Sequence, residues 1–179
     1  PQQEPEQADS KYVFLLGDGV VARHPGSTIE VADCGSDSIL LERALGNWLE
    51  NCQYDGFLSP LYSDQCSQGT LGGITVKRIE GKRPFADITQ NCVIQANDYI
   101  LDQPPSLPAG AAFPIINPRT FEILAAPIMI IPRRRGYNLQ TYAHELGHLF
   151  GLGHQFERDE AGESVYPSVM GYEGLLVQP

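Results

Sequence analysis

The sequence predicts a single α/β or α+β domain built around one mixed sheet. The chain has 179 residues, of which 42% are apolar, and this suits one domain with a sizeable core. Segments with strand-like patterns flank two segments with helical periodicity. Since neither repeats nor a low-complexity tract interrupts this order, we assign residues 1–179 to one domain.

The amino-terminal part contains two predicted strands and then a helix. After the polar segment 1–10, which we expect to be flexible, KYVFLLG (11–17) and STIEVAD (27–33) read as strands separated by turn-forming residues. SDSILLERALGNWLENC has helical spacing, and we place this helix at 37–51 with Ser36 or Asp37 as its cap. Its predicted buried face consists of Ile39, Leu40, Ala44, Leu45 and Trp48.

Four apolar segments and a second helix follow. A loop rich in Gly, Ser, Pro and Asp is predicted from about 53 to 73, and the next two strands are GITVKRIE (73–80) and NCVIQAN (91–97). GAAFPIIN (110–117) and ILAAPIMII (123–131) each contain a proline. Because proline cannot donate to a central ladder, Pro114 indicates an edge strand and Pro127 the beginning of a strand. The second helix starts at Asn138.

Charge and hydropathy exclude several kinds of partner. The formal charge of −10 argues against nucleic acid or an anionic membrane surface. Three adjacent arginines at 133–135 are too few for a polyanion-binding surface and are expected in a solvated loop. No apolar run approaches the roughly 20 residues of a spanning helix, so we expect no membrane insertion.

The start at Pro1 fits a mature product whose leader was removed, or a part of something longer.

The four cysteines, Cys34, Cys52, Cys66 and Cys92, predict two disulfides. They lack C-x-x-C spacing, which argues against a zinc cluster and favours an exported protein. A helix over 37–51 spans roughly 20 Å, whereas bridged Cα atoms lie within about 7 Å, so Cys34 does not pair with Cys52. Two connectivities remain. We favour Cys52 with Cys92 and Cys34 with Cys66, because the end of a backing helix and the start of the next parallel strand tend to share one end of a sheet.

The segment HELGHLFGLGH (144–154) contains the residues that bear most directly on function. Residues four apart on a helix share a face, so His144 and His148 can bind one metal ion. Each glycine in a helix interior costs roughly 1 kcal/mol relative to alanine, so the glycines of this segment suggest that something other than helix stability is served. Gly151 can end the helix with a positive φ, and flexible Gly153 helps to return His154 to the metal. Three imidazoles and an open position are typical of catalytic zinc.

Glu145 lies next to the first ligand and is placed to act as a general base. It can take a proton from a zinc-bound water and later pass it to a leaving amine, which predicts amide hydrolysis. A bare H-E-x-x-H arises by chance on ordinary helices, but the form extended to His154 is far more demanding. His24, alone in a loop beside Pro25, is predicted to be a surface residue.

This segment matches the extended zinc-binding motif HExxHxxGxxH of the metzincin clan of metalloendopeptidases at every fixed position. SVMGY (168–172) resembles the methionine turn of that clan, with Met170 as an apolar floor beneath the metal. The resemblance implies a twisted, mixed, mostly parallel five-stranded sheet with a backing helix and an active-site helix. It also implies an antiparallel edge strand, here 110–117, that binds substrate by strand addition.

The resemblance implies a secreted zinc-dependent endopeptidase, made as a zymogen, that acts as a monomer on protein or peptide substrates with one catalytic Zn²⁺. As in astacins and serralysins, Tyr172 would ligate the resting metal and then donate to the developing oxyanion. Ca²⁺, frequent in matrixins and serralysins, has no loop of recognisable spacing here. The order of elements before the active-site helix is closest to that of matrixins. The residue after the third histidine often marks the subfamily, but Gln155 at this position does not assign one. DCGSD (33–37) is similar to the matrixin latency segment in two letters only, so we do not expect Cys34 to ligate zinc.

Two other functions compete with hydrolysis by a metzincin. The first is a metal-stabilised protein-binding module without turnover, and the retained Glu145 argues against it. The second is a gluzincin-type peptidase in which Glu173 replaces His154 as a ligand, which the extended motif disfavours. The acidic stretch QFERDEAGESVYP (155–167) fits a preference for basic residues after the scissile bond, but such runs are more often solvated loops.

Overall fold

The computed structural model describes residues 16, 20–52, 65–81, 90–96, 109–132, 138–154 and 170. Its first elements are β1 (Thr28–Asp33), α1 (Ser38–Trp48), a 3₁₀ turn (Glu50–Cys52), β2 (Gln68–Leu71), β3 (Ile74–Glu80) and β4 (Asn91–Gln95). The later elements are β5 (Gly110–Ala112), β6 (Ile115–Ile116), β7 (Ile123–Ala125), β8 (Ile128–Ile130) and α2 (Asn138–Leu149). Only Leu16 of the predicted strand at 11–17 is among these residues, and the arginines at 133–135 lie outside them.

Six of the strands form one sheet in the order β2-β3-β1-β4-β8-β5. The four inner strands are parallel to one another, and β2 and β5 pair antiparallel at the two edges. Strands β6 and β7 form a separate antiparallel pair. This confirms a mixed α/β architecture with a mostly parallel sheet and two helices among the described residues. None of the helices in this part of the chain has the length and apolarity to cross a membrane.

The sheet has one strand more than the five expected, and β2 lies in the stretch predicted as a loop. It forms a hairpin with β3 through Gly72 and Gly73, whose φ angles are 55° and 79°. Two residues with positive φ form the tight turn whose twist matches paired strands, and glycine adopts it without steric cost. The Gly-Gly pair signalled this hairpin, but the sequence QGTL before it is too polar to suggest a strand.

The two prolines interrupt the apolar segments that contain them. Pro114 separates β5 from β6, so the predicted strand at 110–117 is two short strands. The edge position predicted from Pro114 is confirmed for β5. Pro127 likewise separates β7 from β8 and directly precedes β8, as predicted for the beginning of a strand.

Helix α1 is capped by Asp37, one of the two residues predicted for this role, but it is shorter than predicted and its buried face differs from the predicted one. The Asp37 carboxylate accepts hydrogen bonds from the backbone N–H groups of Ile39 and Leu40, both at 3.1 Å. The helix ends at Trp48 and continues as the 3₁₀ turn. Ile39 was wrongly predicted to be buried, since it is 56% exposed while Leu41 is fully buried. The buried face comprises Leu41, Ala44, Leu45, Gly46 and Trp48.

Both helices pack on one face of the sheet and share its main core. The sheet residues in this core are Ile29, Val31, Val76, Val93, Ile128 and Ile130. Between the helices, the Trp48 indole N–H donates to the Ala143 carbonyl over 2.9 Å, and the ring meets Phe150 edge-on. A buried indole whose N–H is paired contributes apolar area without an unsatisfied donor. This contact fixes α1 against the carboxyl half of α2.

The disulfides join Cys34 to Cys92 and Cys52 to Cys66, with Cα atoms 5.7 and 6.1 Å apart. The exclusion of a bond between Cys34 and Cys52 is confirmed, but the connectivity we favoured is wrong. Because Cys34 is disulfide-bonded, it is not a free thiol that could reach a metal.

The register of β4 explains the error in the connectivity. Cys92 aligns with Ala32, next to the carboxyl end of β1, because β4 starts opposite Val31. Cys92 therefore lies at the end of the sheet where α1 begins, not where α1 ends. Cys66 instead lies against α1, where its backbone N–H donates to the Glu42 carbonyl over 3.2 Å.

The junction between β1 and α1 is held by the buried carboxylate of Asp33. It accepts hydrogen bonds from the Ser36 backbone at 2.9 Å, the Ser38 hydroxyl at 2.6 Å and Arg78 at 2.7 Å. Burial alone would raise the pKa of Asp33, but the hydrogen bonds from Ser38, Arg78 and Ser36 outweigh it and lower the pKa. Asp33 is therefore a structural anion at the start of α1.

Tyr142 connects α2 to this junction. Its hydroxyl accepts from the Asp37 backbone N–H over 2.8 Å and donates to the Gln95 side-chain oxygen over 2.9 Å. Burial raises the pKa of Tyr142, so the hydroxyl keeps its proton for the second bond. One side chain thus ties α2 to the amino end of α1 and to β4.

We expect Tyr142→Phe to lower the free energy of unfolding by about 1–3 kcal/mol, because it leaves a half-buried donor and a half-buried acceptor without their partner. The measurement is chemical denaturation of the metal-free protein. Thr120→Ala, which removes an exposed hydroxyl bonded to Glu122, is the control and should change the value by less than about 0.5 kcal/mol. A Tyr142→Phe protein as stable as the parent would contradict the structural role of this hydroxyl.

Candidate metal centre

Helix α2 carries the first two histidines in its last two turns. Leu139, Tyr142, Ala143, Leu146 and Leu149 anchor it in the core. Every residue from 142 to 149 is buried, including His144 at 2% and His148 at 8% exposure. Polar side chains rarely occur at such depth unless they are paired or ligate a metal.

The three histidines of the motif converge on one point. The Nε2 atom of His154 lies 3.1 Å from that of His144 and 3.2 Å from that of His148. Ligands at tetrahedral angles and 2.0–2.1 Å from a zinc ion are about 3.3–3.4 Å from one another. The spacing therefore fits one metal ion held by three imidazoles, a ligand set that several divalent transition metals accept.

The tautomer of His148 supports this arrangement. Its Nδ1 lies 2.8 Å from the Leu152 carbonyl oxygen. Since a carbonyl only accepts, Nδ1 carries the proton, and the Nε2 lone pair of a neutral ring faces the other two histidines. Burial lowers the pKa of His148 and also of His154, which favours the neutral form that binds metals.

Gly151 ends α2 and turns the chain back, as the sequence predicts. Its φ is 94°, and a Cβ atom there would lie 2.5 Å from the Ala22 carbonyl oxygen. Its N–H donates to the His148 carbonyl over 3.0 Å, and the Leu152 N–H donates to the Gly147 carbonyl over 2.9 Å. These bonds satisfy the last carbonyls of the helix and bring the Leu152 carbonyl to the His148 ring.

Gly147 makes room beneath the helix for two large side chains. A Cβ atom there would collide with the Met170 sulfur and would lie 3.0 Å from Cζ2 of Trp48. Met170 is buried and belongs to the main core. The glycine is therefore explained by close packing, because no larger residue fits between α2 and these side chains.

We expect Gly147→Ala to destabilise the fold by about 1–3 kcal/mol through overpacking, although alanine is the better helix former by roughly 1 kcal/mol. Denaturant unfolding of the metal-free protein would measure this. In a Met170→Ala background, which is itself destabilised by the lost core packing, the Gly147→Ala substitution should cost less, since the sulfur that the new methyl group meets is gone. If Gly147→Ala alone were more stable than the parent, the close contact with Met170 would be refuted.

Glu145 projects from α2 toward the edge strand β5. The residue is 4% exposed, and a Cβ atom at Gly110 would lie 2.9 Å from its Oε1 atom. Burial raises the pKa of Glu145 to about 7, while a hydrogen bond from the Ala112 backbone N–H acts in the opposite direction. A carboxyl group with this pKa exchanges its proton near neutral pH, which suits a general base.

His24 is not the surface residue that the sequence suggested. It is half-buried, and its Nε2 atom lies 2.7 Å from the Leu149 carbonyl oxygen at the end of α2. Burial lowers the pKa of His24, and the bond to Leu149 acts against this. The proximity of Ala22 to Gly151 explains the error, because this contact between distant segments has no local signal.

Some residues to which the sequence assigned a role lie outside the described part of the chain. They are Gln155, Tyr172, Glu173 and all of SVMGY except Met170. Gly110 and Ala112, which border Glu145, were not singled out from the sequence. Their only signal was the edge strand itself. Comparison of the chain with models of known families, with curated proteins and with solved structures finds no match.

Proposed function

We propose that the chain is a zinc-dependent endopeptidase of the metzincin type. The observation that carries this proposal is the convergence of His144, His148 and His154, with Glu145 buried on the same helix beside the edge strand β5. A purely structural metal site would not require a buried carboxylate with a raised pKa next to its ligands.

The three imidazoles would hold the ion, and the spacing of their Nε2 atoms fits zinc. When bound there, zinc supplies Lewis acidity, which polarises a carbonyl group and lowers the pKa of water. The Leu152 carbonyl would keep the His148 ring oriented, because its bond to Nδ1 fixes both the tautomer and the ring plane.

Glu145 would move the proton. Its carboxylate accepts the proton of the attacking water and returns it to the leaving amine, two steps that require a pKa near the working pH. The Ala112 N–H stabilises the ionised form and holds the side chain against β5. Hydrolysis of a peptide bond balances in this scheme, since one water adds across the C–N bond.

Strand β5 would bind the substrate. On either side of β5, the Ala109 carbonyl accepts from the Ile131 N–H over 2.8 Å, and the Phe113 N–H donates to the Pro127 carbonyl over 2.9 Å. The backbone groups of Gly110 and Ala112 therefore point to the outer edge. Because the Ala112 N–H donates to Glu145, a substrate would pair with the Gly110 N–H and with the carbonyls of both residues. No strand of the described part of the chain pairs with that edge. An extended peptide can add there as a further strand, with its backbone beside Glu145.

The two disulfides support export. Disulfides form and persist in oxidising compartments, so a secreted or extracellular location is part of the proposal.

Digestion of casein or gelatin tests the proposed activity. We expect cleavage that stops when a chelator removes the metal and returns when zinc is added back. The Glu145→Gln protein is the matched control for contaminating proteases. A chain that binds zinc but cleaves neither substrate would instead be a metal-stabilised binding module without turnover.

Tyr172 remains a prediction from the sequence. If its hydroxyl donates to the oxyanion, Tyr172→Phe should lower kcat by about 10 to 1000-fold with KM nearly unchanged. Steady-state kinetics on a fluorogenic peptide would measure this, with zinc content and melting temperature as controls. A phenylalanine protein as active as the parent would show that the likeness of SVMGY to astacins ends at the methionine.

A further inference from the structure

Gly110 lies where a side chain would collide with Glu145. A Cβ atom built on it would lie 2.9 Å from both Cγ and Oε1 of Glu145 and 2.8 Å from Cγ2 of Thr141. Real Cβ atoms essentially never approach other atoms this closely, so one of these groups would have to move. Gly110 is also buried, and the backbone fixes the position of a Cβ atom, so a methyl group there could not avoid these neighbours.

The two neighbours of Gly110 differ in how easily they can move. Thr141 and Glu145 are four residues apart on α2 and therefore share one face. The Thr141 side chain is β-branched and stiff at χ1, whereas the carboxyl end of Glu145 turns about three torsions. A methyl group at position 110 would thus displace the Glu145 carboxylate rather than the threonine.

Displacement would break the hydrogen bond that orients the carboxylate. The Ala112 N–H points away from β8 and donates to Glu145. Gly110 supplies the space and the Ala112 backbone supplies the donor, from positions two residues apart on one strand. The edge of β5 thus both accommodates the Glu145 carboxylate and donates a hydrogen bond to it.

We propose that Gly110 is a positioning residue, whose missing side chain lets the Glu145 carboxylate lie against β5 in the orientation needed for proton transfer. This inference rests on the proposed function, because it assigns Glu145 the role of the base. It makes the edge strand part of the machinery that aims the base, in addition to its role in holding the substrate.

A double-mutant cycle on the metal-free protein tests the contact without any activity. Gly110→Ala should lower the melting temperature by at least about 3 °C in the parent. In a Glu145→Ala background the same substitution should cost clearly less, because the colliding carboxylate is gone. Equal losses in both backgrounds would overturn the proposal.

Kinetics tests the consequence for catalysis. In Gly110→Ala/Thr141→Ser the serine keeps a hydroxyl but lacks the Cγ2 methyl group, so the remaining collision is with Glu145. We expect kcat to fall about 10- to 100-fold, as for a reacting group misplaced by roughly 1 Å, with KM within about twofold and zinc stoichiometry unchanged. Thr120→Ala, which removes an exposed hydroxyl bonded to Glu122 outside β5 and α2, is the control and should keep the parental kcat.

The outcomes separate this inference from the proposed function. If the parent is active and the Gly110→Ala/Thr141→Ser protein is folded, loaded with zinc and equally active, the positioning role is refuted while the proposed function stands. If the parent cleaves no peptide, the proposed function and the positioning role fail together, whatever the cycle shows.

Discussion

Replacing Glu145 with glutamine should lower kcat for peptide hydrolysis by about 10²–10⁴-fold, the usual contribution of a positioned acid–base group. Glutamine keeps the length of the side chain, and its amide oxygen can still accept from the Ala112 N–H. It cannot take up the proton of the attacking water. Zinc content should stay at that of the parent, because the cluster that could hold the metal consists of the three histidines and does not include Glu145.

The measurement combines kinetics on a fluorogenic peptide with zinc analysis of the same preparation. Glu30→Gln is the control, since Glu30 is an exposed carboxylate paired with Lys77 on the sheet surface. Full proteolysis in a clean Glu145→Gln preparation would falsify the role of this residue as the base. Loss of zinc in that protein would instead make Glu145 a ligand.

The second large effect is expected from His154→Ala. Removing one of three imidazoles should weaken zinc binding by more than about 100-fold, the upper range for removing a group that only orients a ligand. Hydrolysis should fall with zinc occupancy. Affinity is measured by competition with a chromophoric chelator, and zinc added in excess should restore activity only in part.

His24 provides a matched control for this experiment. It is the remaining histidine of the four in the chain and is not part of the cluster. His24→Gln should keep the zinc affinity of the parent, although it alters the bond to the Leu149 carbonyl. If His154→Ala bound zinc as tightly as the parent, a different third ligand would be required, and Glu173 would become the first candidate.

The features that the sequence predicted well depend on residues close together in the chain. Asp37 caps α1 because its carboxylate reaches backbone groups two and three residues later. Gly151 adopts a positive φ because the helix ends there. The three histidines meet within a segment of eleven residues, whose spacing on a helix and turn is fixed by local geometry.

The features that were missed depend on how distant segments align. Pairing of Cys34 with Cys92 follows from β4 starting opposite Val31, a register that no local pattern contains. The half-buried state of His24 depends on the carboxyl end of α2, more than 120 residues later in the chain. The contact of Gly110 with Glu145 likewise requires the packing of β5 on α2.

Trp48 gives this protein a natural optical probe. It is the single tryptophan of the sequence, it is buried, and it contacts α2 at Ala143 and at the site of Gly147. Indole emission depends on the polarity around the ring and on the bond made by its N–H. Its fluorescence therefore reports directly on whether the histidine-bearing helix is docked. Stopped-flow mixing with zinc or with denaturant can thus follow assembly of the metal centre in the unlabelled, unmodified chain.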